Sequence, residues 1–206
     1  MKQNIPQTMR LFALPLLGAA LLPSLCSAQA PVFAIDVPKS KITFSVKASV
    51  AINGTFDKWD AALKFTSPDV SDGSLQIKIQ AASVNTGSGM KDGKLKGEDF
   101  FDVKKHEFIT FISKKIVMTA PDKFSVEGDF TIRGVSKPET LTLSVAREGD
   151  GTSGRIVGQM AFDRKQYGMT HGIPFIKIAD RVQVDVNLAV KRTSGPPVTS
   201  KAKPGA

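Results

Sequence analysis

From Lys41 onward the chain switches between apolar and polar at every residue, and the switch recurs in separate runs. Ile42, Phe44, Val46 and Ala48 alternate with Lys41, Thr43, Ser45 and Lys47. Leu75, Ile77, Ile79 and Ala81 alternate with Gln76, Lys78 and Gln80. The same pattern runs through Phe124, Val126, Gly128, Phe130 and Ile132, then Leu141, Leu143 and Val145, and finally Val182, Val184, Val186, Leu188 and Val190. A period of two places one apolar and one polar face on an extended strand, whereas an amphipathic helix repeats every three to four residues. Weaker runs at Phe108–Met118, Ile156–Phe162 and Gly54–Phe65, with Phe56, Ala61 and Leu63 as core positions, bring the expected count to eight strands.

Turn residues separate the runs at Pro68–Gly73, Pro121-Asp122, Gly134–Pro138 and Gly149–Gly154, with Gly149-Asp150-Gly151 as a hairpin candidate. Short connections imply antiparallel pairing. The expected class is all-β. Eight strands with one apolar face can remove their edges by closing into a barrel that holds one small ligand. A two-sheet sandwich gives the same alternation and remains the alternative. The inward face then carries the candidate ligand-binding residues: Phe44, Val46, Ile77, Ile79, Phe111, Phe130, Ile132, Leu141, Leu143, Val184 and Val186.

Ser88–Lys105 breaks the alternation and reads as a short helical insertion beside the barrel. Its adjacent Phe100 and Phe101 either plug one barrel end or stand at a ligand entrance, and both join the candidate site. Trp59 is expected to pack or cap a barrel end.

The chain ends set the compartment and the charge. Lys2 and Arg10 precede an apolar stretch from Leu11 to Leu22, and Cys26, Ser27 and Ala28 are small. This is the form of a secretory signal peptide over 1–28 with cleavage after Ala28. Leu25 before Cys26 does not suit a lipoprotein signal. The mature chain, 178 of the 206 residues, would be periplasmic and free of cysteine, which leaves no disulfide or thiol chemistry. Of the formal charge of +9, the leader holds +2 and the tail 191–206 holds +4, through Lys191, Arg192, Lys201 and Lys203. The body 29–190 keeps +3, too little for a nucleic-acid footprint. The Pro-containing basic tail reads as a disordered extension with at most weak attraction to anionic membrane surfaces.

Catalytic patterns are sparse. His106 and His171 lie far apart and in no metal-ligand spacing; His106 follows two lysines and is expected to be exposed, and His171 to lie in a loop. No nucleophile elbow or phosphate-binding glycine motif is present. No catalytic residue, metal site or cofactor is assigned. Asp92 and Arg164 are the charged residues to watch, as a buried ion pair holding the irregular segment onto the last strands.

Ordered segments then point to a family. They are Phe33-Ala-Ile35-Asp36 with Ser40-Lys-Ile42-Thr-Phe44; Gly54-Thr-Phe56; Ser83-Val84-Asn85-Thr86-Gly87; Lys91-Asp92 and Leu95; Asp99-Phe100-Phe101-Asp102-Val103; Ile109-Thr110-Phe111; Gly128-Asp-Phe130-Thr131-Ile132-Arg-Gly134-Val135 with Lys137-Pro138; and Arg164, Tyr167-Gly168-Met169 and Asp180-Arg-Val182. Together they resemble the YceI-like family of exported lipid-binding proteins. Lys39 and Ala48 stand where the family often has histidines, and Lys91 where it often has Arg. The resemblance implies an eight-stranded antiparallel, lipocalin-like barrel holding a polyisoprenoid or isoprenoid quinone. The expected function is therefore an exported carrier or scavenger of a long-chain amphiphile, not an enzyme, with a homodimer compatible with the sequence. A lipid- or quinone-modifying enzyme and a stress-response barrel without ligand are the alternatives.

Overall fold

The computed structural model describes residues 29–49, 51–172 and 177–199. The leader expected over 1–28, with Cys26, and the last tail residues lie outside the described residues. Ten strands form one antiparallel sheet: β1 (Val32–Ala48), β2 (Ile52–Phe56), β3 (Trp59–Phe65), β4 (Gly73–Gln80), β5 (Val84–Asn85), β6 (Phe108–Ala120), β7 (Lys123–Ile132), β8 (Val135–Glu148), β9 (Ser153–Asp163) and β10 (Ile178–Ser194). Their order across the sheet is β3-β4-β6-β7-β8-β9-β10-β1-β2-β5, so the sandwich alternative falls. The sheet curls into a half-barrel with the apolar faces inward. Its end strands β3 and β5 do not pair with each other. Phe33 at the start of β1 instead meets Phe65 at the end of β3, with ring centroids 5.6 Å apart.

Two strands exceed the expected eight. The run Gly54–Phe65 divides at Asp57-Lys58 into β2 and β3, and the two-residue β5 pairs with Thr55 and Phe56. The turn expected over Gly134–Pro138 is tighter. Arg133 and Gly134, at φ 53 and 72, form a two-residue hairpin. Pro138 lies inside β8 opposite Asp129, where the β9 ladder has not yet begun, so its missing N–H leaves no ladder bond unmade. The tail also begins later than expected. Lys191–Ser194 complete β10 because they continue its ladders with β1 and β9.

The β1–β10 and β6–β7 ladders shift register at five places, and a serine hydroxyl patches two of them. Between Asp36 and Lys41 the β1–β10 register shifts; Ser40 Oγ donates to Asp36 O at 2.6 Å and accepts from Ala189 N at 2.8 Å. On β6 the register shifts between Ser113 and Lys115, and Ser113 Oγ accepts from Leu75 N at 2.8 Å.

The irregular segment contains one helix, α1 (Gly89–Lys96). Asp92 accepts from Thr86 N at 2.8 Å and Thr86 Oγ1 at 2.7 Å, which shapes the turn before α1. His106 is half-buried rather than exposed. Its ring lies over Gly134, where an added Cβ would come within 2.7 Å of it. Trp59 is partly buried against the core.

Ser40→Ala would leave Ala189 N without its acceptor at the β1 bend. The expected loss is about 1–2 kcal/mol, read as a lower urea midpoint at unchanged slope; an unchanged midpoint would show that water replaces the hydroxyl freely.

Candidate functional site

The interior of the half-barrel holds two chambers and a packed layer between them. The near chamber, of about 60 Å³, lies where β7 and β9 end and β6 and β10 begin. Phe44, Val46, Ile79, Phe130, Ile132 and Val184 from the expected inward face wall it, and Phe100 and Phe101 close it from the α1 segment. The far chamber, of about 320 Å³, lies at the opposite strand ends; Leu143 walls it with Phe33, Leu63, Phe65, Ile116, Phe124, Val145, Ile156 and Val190. The remaining candidates, Ile77, Phe111, Leu141 and Val186, line neither chamber and are buried between them.

Two inward glycines make that layer. A Cβ at Gly128 would lie 2.8 Å from Phe111 Cζ, and one at Gly158 would lie 2.6 Å from Leu143 Cδ2 and 3.2 Å from Leu141 Cδ1. Large side chains from neighbouring strands fill the space the glycines leave.

Phe100 and Phe101 are both buried, 4% and 7% exposed, and Phe101 meets Phe56 at 6.0 Å. Of the two expected roles, the geometry is that of a plug. Main-chain bonds fix it: Phe101 N donates to Leu95 O and Asp102 N to Gly97 O, both at 2.9 Å.

Arg164, at the near chamber wall, is 6% exposed. Its Nε donates to Ala179 O at 3.2 Å, Nη1 to Met169 O and to His171 O at 2.8 Å, and Nη2 to Asp180 Oδ1 at 3.2 Å. The buried ion therefore holds the loop after β9 onto β10, and its carboxylate partner is Asp180, not Asp92. The irregular segment is tied across instead by Asp99, which pairs with Lys94 and lies 3.5 Å from His171 Nδ1. Behind the chamber Tyr167 packs edge-on against Phe130 and Phe162 at 5.6 and 5.2 Å and donates to Glu139 Oε1 at 2.9 Å. Burial, and then the Glu139 carboxylate, push its phenol well above the usual range, so it stays protonated.

Residues 33–190 match the YceI-like domain. The chain belongs to the YceI-like family. A UPF0312 protein of Shewanella denitrificans is 29% identical over 161 residues, 75% of this chain and 84% of that one. A UPF0312 protein of Pseudomonas savastanoi pv. phaseolicola is 30% identical over 137 residues, 65% and 71% of the two chains. Among solved structures, Burkholderia cenocepacia BcnA superposes with a TM-score of 0.69 at 29% identity, covering 76% of this chain and 99% of its own. A polyisoprenoid-binding domain from Saccharophagus degradans shares the fold at a TM-score of 0.61 and 18% identity, over 79% and 99% of the chains.

For this YceI-like chain, alternation alone missed several chamber residues. Phe162 continues the Ile156–Phe162 run and Phe56 sits in Gly54-Thr-Phe56, so both were visible as core positions. Leu95 and Met169 reach the near chamber from irregular segments, where no period marks them. Phe33 and Phe65 lie at strand ends remote in sequence.

Because Phe101 is a plug, Phe101→Ala should lower stability by about 3–5 kcal/mol, seen in chemical denaturation; a loss below about 1 kcal/mol would mark the ring as loosely held. Acid sensitivity follows from Asp180. A hydrogen bond from Lys165 chiefly, with the Arg164 charge, holds its carboxyl below the ordinary 3.8 against the opposing effect of desolvation. A depressed folded value contributes stability above pH 3.8 that is lost as pH falls through that lower value. Asp180→Asn should therefore make the fall in melting temperature below about pH 4 shallower than in the parent chain; parallel acid limbs would remove Asp180 as a contributor.

Proposed function

We propose that this protein is an exported, periplasmic binding protein that holds the apolar chain of a polyisoprenoid or isoprenoid quinone inside the half-barrel, and that it carries or sequesters this amphiphile rather than transforming it. The observation that supports the reading most is the pair of apolar chambers stacked along one interior, the larger about 320 Å³. Moving a methylene from water into such a space is worth about 0.8 kcal/mol, offset in part by ordering a flexible chain. The leader-like 1–28 supports export, and the Saccharophagus degradans domain that shares the fold is a polyisoprenoid binder.

The chamber sizes add a condition. The packed middle layer separates the near chamber of about 60 Å³ from the far chamber of about 320 Å³. A long isoprenoid must therefore displace the middle layer or leave part of its chain outside. The close packing of Phe111 on Gly128 and of Leu141 on Gly158 favours, as a second reading, a filled barrel that needs no ligand.

Organic extraction of protein purified from the exported fraction without detergent, followed by mass spectrometry, separates the two. The expected result is an isoprenoid lipid or quinone near one per chain. No bound lipid, together with no uptake of added farnesol or ubiquinone, would overturn the binding reading in favour of the filled barrel.

A further inference from the structure

The two ends of the half-barrel are closed by unlike means. At the near end two buried phenylalanines and several main-chain hydrogen bonds of the α1 segment form the closure. At the far end Gly195–Thr199 cross over the chamber beside the β8–β9 hairpin at Asp150–Gly154. After Ser194 the chain turns at Gly195, φ 79, pressed so closely on the N-terminal residues that an added Cβ would lie 2.5 Å from Ala30 O. Pro196 and Pro197 follow and carry no N–H, so this stretch cannot extend the β10 ladder. The chain then reattaches at a loop remote in sequence: Val70 N donates to Thr199 O at 2.9 Å, and Thr199 N to Pro68 O at 2.8 Å. Between these anchors Pro197 and Val198 line the far chamber. The strap lies beyond the 33–190 match.

We propose that Gly195–Thr199 is a displaceable strap, and that an apolar chain is admitted to the half-barrel from the far end beneath it. The polar head of that amphiphile remains at the rim, where Arg147 and Arg192, with N–H groups beyond those given to Asp122 and Gly195, line the chamber mouth together with the carboxylates of Asp122 and Asp150. The inference rests on the reading of the protein as a binder of an apolar chain. The asymmetry of the closures carries it. Lifting the strap breaks two main-chain hydrogen bonds and the side-chain bonds of Thr199 Oγ1 to Pro68 O and of Arg192 to Gly195 O, and uncovers Pro197 and Val198, whereas opening the near end moves Phe100 and Phe101 out of the core. Local opening follows the least-packed segment with the fewest bonds. The larger chamber also lies directly beneath the strap.

Stopped-flow binding of the apolar fluorophore N-phenyl-1-naphthylamine to the mature chain tests this. The variants are a chain ending at Ser194, Gly195→Val and Val198→Ser. Thermal unfolding of each confirms folding, and the two point substitutions in the strap serve should the shortened chain unfold. Uptake and release should both speed up about ten-fold without the strap, the equivalent of about 1.4 kcal/mol of closing free energy. Gly195→Val should act in the same direction. Unchanged exchange in the strap variants would overturn the strap and leave the binding reading standing. Absence of saturable binding in the parent chain would overturn the binding reading and the strap with it.

Discussion

The contact of Phe111 with Gly128, and of Leu141 and Leu143 with Gly158, decides what the interior of this half-barrel can be. Glycine inside a strand costs stability, about 0.5–1 kcal/mol relative to alanine. Here it removes an inward Cβ on β7 and on β9; the β6 main chain and Phe111 close over the first gap, and Leu143 and Leu141 of β8 over the second. Burial of those side chains, each worth about 1.5–3 kcal/mol, outweighs the cost. The result is an axis interrupted at mid-height, with a small chamber on the α1 side and a larger one beneath the C-terminal strap. Strand alternation by itself would produce a continuous tube; the glycines set where it is filled.

The polar groups that anchor that apolar wall find their partners within the protein. Every nitrogen of the Arg164 guanidinium donates within the protein, to three carbonyls and to Asp180. Its charge is thus compensated by Asp180 of β10 while its other bonds hold the loop that follows β9, so the group anchors that loop rather than meeting a ligand. Tyr167 follows the same logic: its ring backs Phe130 and Phe162 while its hydroxyl reaches out to Glu139. The near chamber therefore gains rigidity from polar bonds that do not interrupt its apolar surface.

The strands were legible in the sequence because each is a local signal. The period-two runs mark all eight segments that were expected, and their inward residues are buried or half-buried. What was not legible depends on contacts between remote residues. Asp57-Lys58 holds no Gly or Pro, so nothing local announced the break between β2 and β3. Pro138 resembled a turn residue because the missing neighbour that tolerates it is a fact of strand order. The tail had the composition of a disordered extension, yet Lys191–Ser194 complete two ladders and Thr199 meets Pro68 and Val70. Within the candidate site, alternation could say which residues point inward but not at what height. Phe130 and Leu141 are both inward, and only the register separates a chamber wall from the packed layer.

Height matters because the two chambers resist expansion differently. The near chamber is bounded by rings in mutual contact: Phe44 with Phe56 at 5.5 Å, Phe56 with Phe101 at 6.0 Å, and Phe130 with Phe162 at 5.0 Å. Each such pair contributes about 0.5–1.5 kcal/mol beyond its buried area, so enlarging this end disturbs several at once. At the far end a single ring pair, Phe33 with Phe65, borders the chamber, and most other walls are aliphatic. A guest chain gaining about 0.8 kcal/mol per buried methylene would fill the far chamber before it could compete with the middle layer. Beyond that point each further methylene must displace a side chain already buried, so the net gain per added carbon falls. The fold thus ranks its own interior: the space under the strap is filled first, and the layer over Gly128 and Gly158 sets how far a chain can reach.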